Sequence, residues 1–81
     1  MMRQTILIAD DQKLVRNYVE SMLRTEGFCV LEAVDGLDAL WQLEERRAPI
    51  DLLLTDIQMP RMDGGALARS VAEIYPKIPI L

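Results

Sequence analysis

Residues 5–9 read Thr-Ile-Leu-Ile-Ala and are followed at once by Asp10 and Asp11. Residues 50–55 read Ile-Asp-Leu-Leu-Leu-Thr and are followed by Asp56. Short, largely apolar runs are typical of strands buried on both faces, as in a parallel sheet covered by helices. The carboxyl ends of such strands lie at one edge of the sheet, where ligands bind. If the two runs are neighbouring parallel strands, three carboxylates meet there, and oxygen clusters of this kind suit Mg²⁺.

The composition limits the class of protein. The chain has 81 residues, an apolar share of 51% and a net charge of −4, which indicates one small folded domain or part of one. An acidic chain without a basic face is unsuited to nucleic acid, so we expect no such partner. The sequence contains no histidine, which excludes histidine-based metal sites and general bases.

Cysteine usage and hydropathy indicate the cellular compartment that we expect for the chain. Cys29 is the single cysteine, so no disulfide can form within the chain. We interpret it as a small core residue and expect a reducing, cytoplasmic location. No apolar run is long enough for a signal peptide or a membrane span, so we expect no membrane association.

Apolar runs alternate with helical periodicity along the whole chain. This order, βαβαβαβ, predicts an α/β fold with a parallel sheet and crossover helices. The predicted strands are 5–9, 28–33, 51–55 and the start of a fourth at 78–81; the predicted helices are 12–26, 37–47 and a third between Asp63 and Tyr75. Because the fourth strand leaves an apolar edge, we expect self-association through it.

Several residues receive structural interpretations. Asp11, Asp35 and Asp63 are predicted to cap the three helices, and Gly27 to end the first. Asp51, at the opposite end of its strand from Asp56, is predicted to be an ordinary solvated charge. An apolar stripe is predicted along the first helix, at Leu14, Val15, Tyr18, Val19, Met22 and Leu23. Leu67, Val71 and Ile74 are predicted to share one face of the third helix, and Trp41 to lie half in the core beside Leu37.

A structural interpretation competes with the functional one at the aspartates. Asp10 and Asp11 alone are as typical of a helix start as of a ligand site. Asp56 follows a strand and precedes a loop, so it is not an obvious cap. The two strand ends together favour a functional site.

Four segments carry a family resemblance: Ile-Leu-Ile-Ala-Asp-Asp at 6–11, Val-Asp-Gly at 34–36, Asp-Leu-Leu-Leu-Thr-Asp-Ile-Gln-Met-Pro at 51–60, and Met-Asp-Gly-Gly at 62–65. Together they resemble the receiver domain of two-component response regulators. The resemblance implies a flavodoxin-like, doubly wound parallel sheet with strand order 2-1-3-4. It also implies that residues 1–81 are the N-terminal two-thirds of the domain, without the fifth strand and last two helices.

The resemblance further implies a function. Asp56 matches the phosphoacceptor, which receives a phosphoryl group from a histidine kinase or a phosphotransfer protein. Such a domain is a switch of a phosphorelay and not an enzyme, although it catalyses its own phosphorylation and dephosphorylation. The family's Ser or Thr on the fourth strand and Lys on the fifth fall beyond Leu81, so we expect the 81-residue chain to be phosphorylated poorly.

The resemblance also implies a metal site. Asp11 matches a direct ligand of Mg²⁺ or Mn²⁺, and Asp10 a ligand acting mainly through water. Asp56 and the backbone carbonyl of Gln58 complete the protein ligands. Met59 and Pro60 match the loop that shapes the pocket.

Three alternatives remain open from the sequence. The segment fits a receiver inside a hybrid sensor histidine kinase as well as one in a separate regulator. A Mg²⁺-dependent aspartyl-phosphate phosphatase of the haloacid dehalogenase class also uses a strand-end Asp, but it repeats Asp two residues later, where this chain has Gln58. A flavin-binding module requires a phosphate loop after the first strand, where this chain has two carboxylates.

Overall fold

The structure is a computed structural model that describes residues 3–45, 50–56 and 62–81. The elements alternate as the sequence predicts: β1 Thr5–Ala9, α1 Lys13–Thr25, β2 Cys29–Ala33, α2 Gly36–Glu45, β3 Leu52–Thr55 and α3 Gly64–Ile74. Within the described ranges, no helix combines the length and the apolar character needed to cross a bilayer.

The three strands form a parallel sheet in the order β2-β1-β3. The central strand β1 pairs Leu7 with Leu31 on one side and with Leu53 on the other. This arrangement confirms the predicted α/β class, because each connection between strands carries a helix and β2 and β3 both lie parallel to β1.

Residues 79–81 continue the sheet beside β3. Leu53 donates its N–H to the Pro79 carbonyl at 3.0 Å, and Leu81 donates its N–H to the Leu53 carbonyl at 2.8 Å. Ile80 and Leu53 form a single parallel bridge. The fourth position of the predicted order 2-1-3-4 is therefore filled by a short bridge.

The sheet separates two apolar layers. On one face, α2 and α3 cover β1 and β3, with Leu7, Leu53, Leu67 and Val71 fully buried. On the other face, Val19 and Leu23 of α1 pack against a smaller cluster of Ile6, Ile8 and Val30. The core is thus thickest between the sheet and the pair α2 and α3.

The apolar stripe of α1 is wider than the surface it covers. Leu14, Tyr18 and Met22 are exposed by 83%, 68% and 48%, so only part of the predicted stripe packs against the sheet. One helix over so small a cluster of strand residues can bury only its innermost row.

Two further apolar side chains are largely exposed. Trp41 is 60% exposed, and Ile74 at the end of α3 is 53% exposed. In α2 the buried positions are Gly36, Ala39 and Leu43, so the face that this helix turns inward does not include Trp41.

Gly27 ends α1 as predicted. Its φ of +95° lies in the left-handed region that glycine adopts freely. Its N–H donates to the Arg24 carbonyl at 3.0 Å, and the Phe28 N–H donates to the Leu23 carbonyl at 3.1 Å. This pair of bonds is the Schellman arrangement, which satisfies the last carbonyls of the helix.

Asp51 corrects an expectation from the sequence. Its exposed carboxylate accepts the Thr5 N–H at 2.7 Å, while its own N–H donates to the Thr5 carbonyl at 2.8 Å. Asp51 is therefore not an ordinary solvated charge, because it ties the starts of β1 and β3 together.

Two side chains cover the outer edge of β2. The carbonyl of Val30 accepts a bond from the Arg24 guanidinium at 3.2 Å, and the carbonyl of Glu32 accepts one from the Gln42 amide at 2.7 Å. The N–H of Cys29 and the carbonyl of Ala33 bond toward β1. Because the backbone groups of successive residues point to opposite sides of a strand, the carbonyls of Val30 and Glu32 point away from β1. Occupied carbonyls make this edge a poorer template for pairing with another strand.

Gly36, the first residue of α2, lies against the chain that leads into α3. A Cβ built on Gly36 would lie 2.8 Å from the Cβ of Met62 and would also collide with the Met62 carbonyl oxygen. Only a glycine allows the start of α2 and the residue before Asp63 to approach this closely.

We therefore expect Gly36→Ala to destabilise the fold by about 1–3 kcal/mol, the usual cost of overpacking. Gly65→Ala is the matched control, because a Cβ there meets its nearest atom, Asp63 Oδ1, at an ordinary 3.4 Å. Alanine also has the higher helix propensity, so the control should be neutral or slightly stabilising. Urea unfolding measures the change in stability of both variants, provided that the m-value stays constant. Equal unfolding midpoints for the two variants would contradict the close approach of Gly36 to Met62.

Candidate functional site

The carboxyl ends of the three strands are joined by backbone hydrogen bonds. Asp56 follows β3 and donates its N–H to the carbonyl of Ala9 at 2.8 Å, while Asp10 follows β1 and donates its N–H to the carbonyl of Ala33 at 3.1 Å. Since Ala9 lies opposite Thr55 in the sheet, the residues that follow them are brought to the same edge.

The structure brings together the three carboxylates that the sequence singled out. One oxygen each from Asp10, Asp11 and Asp56 lies within 4.8 Å of the other two. Asp11 is exposed, and the other two are half-buried. Gln58, Met59 and Pro60, which the sequence also assigned to the site, lie outside the described residues.

Asp10, and not Asp11, bonds the backbone that leads into α1. Its Oδ1 accepts the N–H of Gln12 at 2.9 Å. Gln12 is the N-cap and makes no side-chain capping bond, so the prediction that Asp11 caps the helix is wrong. An aspartate whose carboxylate accepts the N–H of the residue two positions later forms a local turn. The carboxylate of Asp11 is then left for the cluster.

Two residues near the cluster were missed by sequence reasoning. The Nη1 of Arg16 donates to the backbone carbonyl of Asp10 at 2.9 Å, and its Nε donates to Oε1 of Glu32 at 3.4 Å. The Arg16 side chain is only 12% exposed. Its spacing of one helical turn from Gln12 places it above the start of the helix, but no local pattern indicated its partner on β2.

Asp35, Asp38 and Asp63 bond the backbone at helix N-termini, and the sequence predicted this for Asp35 and Asp63. Oδ1 of Asp35, which is 3% exposed, accepts the Asp38 N–H at 2.8 Å, and Oδ2 of Asp38 accepts the Val34 N–H at 3.0 Å. Asp63 accepts the Ala66 N–H at 2.8 Å at the start of α3. These carboxylates stabilise helix N-termini, which separates them in role from the cluster.

The donor set of the cluster fits a hard divalent cation. All three ligands are carboxylates, and Mg²⁺ and Mn²⁺ prefer oxygen ligands of this kind. Three negative groups held this close repel one another unless a cation offsets their charge. Asp10, Asp11 and Asp56 are thus suited to hold one.

Comparison with known proteins identifies the family. The model of the response regulator receiver domain matches residues 6–81. The chain belongs to this family. Receiver domains are, in general, signalling modules of two-component systems, and membership argues against the phosphatase and flavin-binding alternatives.

Two relatives place similar receivers in different protein contexts. The response regulator receiver protein CpdR of Brucella abortus is 41% identical over 76 residues, which cover 94% of this chain and 62% of that protein. The sensor kinase CckA of the same organism is 34% identical over 77 residues, which cover 95% of this chain and 8% of the kinase. The chain therefore spans less than two-thirds of either relative.

Solved structures give the same fold. The receiver domain from the hybrid histidine kinase CckA superposes with a TM-score of 0.85 at 38% identity, covering 94% of this chain and 70% of that one. A receiver domain protein from Clostridium thermocellum superposes with a TM-score of 0.89 at 27% identity, covering 95% and 61%. The flavodoxin-like architecture of this receiver chain is therefore established.

Repulsion within the cluster leads to a prediction for the metal-free chain. We expect Asp11→Asn to raise the melting temperature in the presence of a chelator, because it removes one of three crowded negative charges. The increase should shrink between 0.01 M and 1 M salt, since the screening length falls from about 30 Å to about 3 Å. Glu44→Gln, an exposed residue of α2, is the control. A destabilised Asp11→Asn at low salt would contradict the repulsion.

Proposed function

We propose that this receiver chain accepts a phosphoryl group on Asp56 from a phosphohistidine of a histidine kinase or phosphotransfer protein. We further propose that Asp10, Asp11 and Asp56 hold the Mg²⁺ or Mn²⁺ that the reaction uses. One observation carries the proposal: in a member of the receiver family, oxygens of these three carboxylates lie within 4.8 Å of one another at the ends of adjacent strands.

Asp56 has the chemistry of the nucleophile. An ionised carboxylate needs no general base, which suits a chain without histidine. One Asp56 oxygen attacks phosphorus as the bond from phosphorus to the imidazole nitrogen breaks, and the products are an acyl phosphate and free imidazole. The bond from the Asp56 N–H to the Ala9 carbonyl, 2.8 Å long, fixes the main chain from which the carboxylate projects.

Asp10 and Asp11 supply the remaining negative charge. When bound, Mg²⁺ offsets the charge of the carboxylates and of the phosphoryl oxygens. Asp10 keeps its Oδ1 on the Gln12 N–H, which leaves its other oxygen for the cluster. The backbone carbonyl of Gln58 as a further ligand, and Met59 and Pro60 as the pocket loop, belong to the proposal by family resemblance.

The wider context is also proposed. We propose that residues 1–81 are the N-terminal two-thirds of a receiver domain, which is consistent with their covering 70% and 61% of the two matched structures above. The parent is a separate regulator or a hybrid sensor kinase in the cytoplasm, and it catalyses its own phosphorylation and dephosphorylation. This segment binds neither nucleic acid nor membrane, and it self-associates through the edge formed by residues 78–81.

Metal binding is tested by thermal melting with and without Mg²⁺. At a concentration ten times the Kd, binding to the native state contributes about 1.4 kcal/mol. For a domain of this size that corresponds to a rise of roughly 6–10 °C. Asp11→Ala should lose most of the rise, while Asp51→Asn, at the opposite end of β3, should keep it. Equal rises in wild type and Asp11→Ala would exclude this cluster as the site.

Phosphorylation is tested on the complete protein that carries this segment. Acetyl phosphate with Mg²⁺ should add one phosphoryl group, detected by intact mass, and Asp56→Asn should abolish it. Asp63→Asn is the control, because its carboxylate caps α3. Labelling that persists in Asp56→Asn would assign the phosphoryl group to another residue.

A further inference from the structure

A polar connection runs from the turn after β1 to the edge strand β2. Arg16, near the start of α1, donates from Nη1 to the Asp10 carbonyl at 2.9 Å and from Nε to the Glu32 carboxylate at 3.4 Å. The exposed fractions of the two side chains are 12% and 31%, so solvent reaches little of the arginine. Because a guanidinium is planar and its donors point in fixed directions, these two bonds hold their acceptors in a defined relation.

The carbonyl that Arg16 holds has a special place in the chain. It belongs to the peptide bond that joins Asp10 to Asp11, the two neighbouring members of the carboxylate cluster. On the other side of Asp10, the N–H is held by the Ala33 carbonyl at 3.1 Å. Rotation of this peptide would move both carboxylates, so its orientation determines where their oxygens lie relative to Asp56.

We propose that Arg16 is a positioning residue of the carboxylate cluster. It fixes the peptide between Asp10 and Asp11, Glu32 on β2 anchors it, and the cluster binds a divalent cation tightly only when this peptide is held. The inference rests on the proposed function, because it concerns the metal affinity of the same three carboxylates.

The direction of the effect distinguishes positioning from simple charge. Arg16 is a cation near an acidic cluster, so its removal would strengthen the binding of another cation if only electrostatics mattered. Loss of positioning has the opposite sign, because the carboxylates lose their common geometry. Residues that orient metal ligands typically contribute about 10–100-fold to affinity.

The chain offers a matched control on the same helix. Arg24 also bonds a backbone carbonyl, that of Val30 at 3.2 Å, and a carboxylate, that of Glu20 at 3.4 Å. It lies near the end of α1, two turns beyond Arg16 and away from the cluster. Arg24→Ala thus removes a similar set of contacts without touching the turn between Asp10 and Asp11.

The experiment is a titration with Mg²⁺ alone, followed by calorimetry and by backbone amide shifts at a temperature where each variant is folded. We expect Arg16→Ala to weaken the Kd about tenfold. Arg16→Lys should fall between wild type and Arg16→Ala, because one ammonium cannot reproduce both directed bonds. Arg24→Ala should stay within about twofold of wild type, because its contacts lie two helical turns from the cluster and distant sites act independently.

The outcomes separate this inference from the function on which it rests. A wild type that binds Mg²⁺, with Arg16→Ala binding it equally or more tightly, overturns the positioning role alone. If Mg²⁺ binding to the wild type does not depend on Asp11 and Asp56, the proposed metal site is overturned and this inference with it. If Arg16→Ala does not fold, Arg16→Lys decides: an affinity equal to wild type overturns the proposal, and a weaker one supports it.

Discussion

The register of β1 against β3 is the constraint on which the site depends. Ala9 lies opposite Thr55, and the residues that follow them carry the carboxylates. A slip of one residue would displace Asp56 by about 3.3 Å along the strand and turn the side chains of β3 to the wrong faces. Leu7 and Leu53, paired in the same register and fully buried, oppose such a slip by their burial. The apolar core thereby sets the spacing of the charged cluster.

Crowded carboxylates are an unfavourable feature that the surrounding backbone makes possible. Asp10 and Asp56 each have their N–H bonded across the sheet, to the carbonyls of Ala33 and Ala9. The accepting carbonyls lie on the edge strand β2 and on the central strand β1. The carboxylates therefore repel one another while their main chains are held in place by the sheet. Asp35 and Asp63, at the starts of α2 and α3, differ from them. The carboxylate of each accepts a hydrogen bond from a helix N–H group, which stabilises its negative charge. Position at a strand end, and not acidity itself, distinguishes the cluster.

A feature of this structure could be predicted from the sequence when its signal lies in residues close together along the chain or in a general rule of the fold. The strands and the gathering of Asp10, Asp11 and Asp56 depend on apolar runs and on a general property of parallel sheets, so they were predictable. The helix caps at Asp35 and Asp63 depend on neighbours three residues away and were predictable too. The bond from Asp51 to Thr5 and the ion pair of Arg16 with Glu32 join residues 46 and 16 positions apart. Such contacts need the tertiary arrangement, which no local pattern supplies.

Strand β2 contributes to the site although it carries none of the three carboxylates. Its Ala33 carbonyl accepts the Asp10 N–H, and its Glu32 side chain anchors Arg16 from the face covered by α1. The carbonyl of the same Glu32 accepts the Gln42 amide from α2, on the opposite face of the sheet. Glu32 is therefore the residue at which both helical layers meet the edge of the sheet. A substitution there removes the carboxylate that anchors Arg16 but keeps the backbone carbonyl that accepts the Gln42 amide. The support of Asp10 therefore depends on a side chain of β2, so the cluster at the end of β1 cannot be treated as a property of two strands alone.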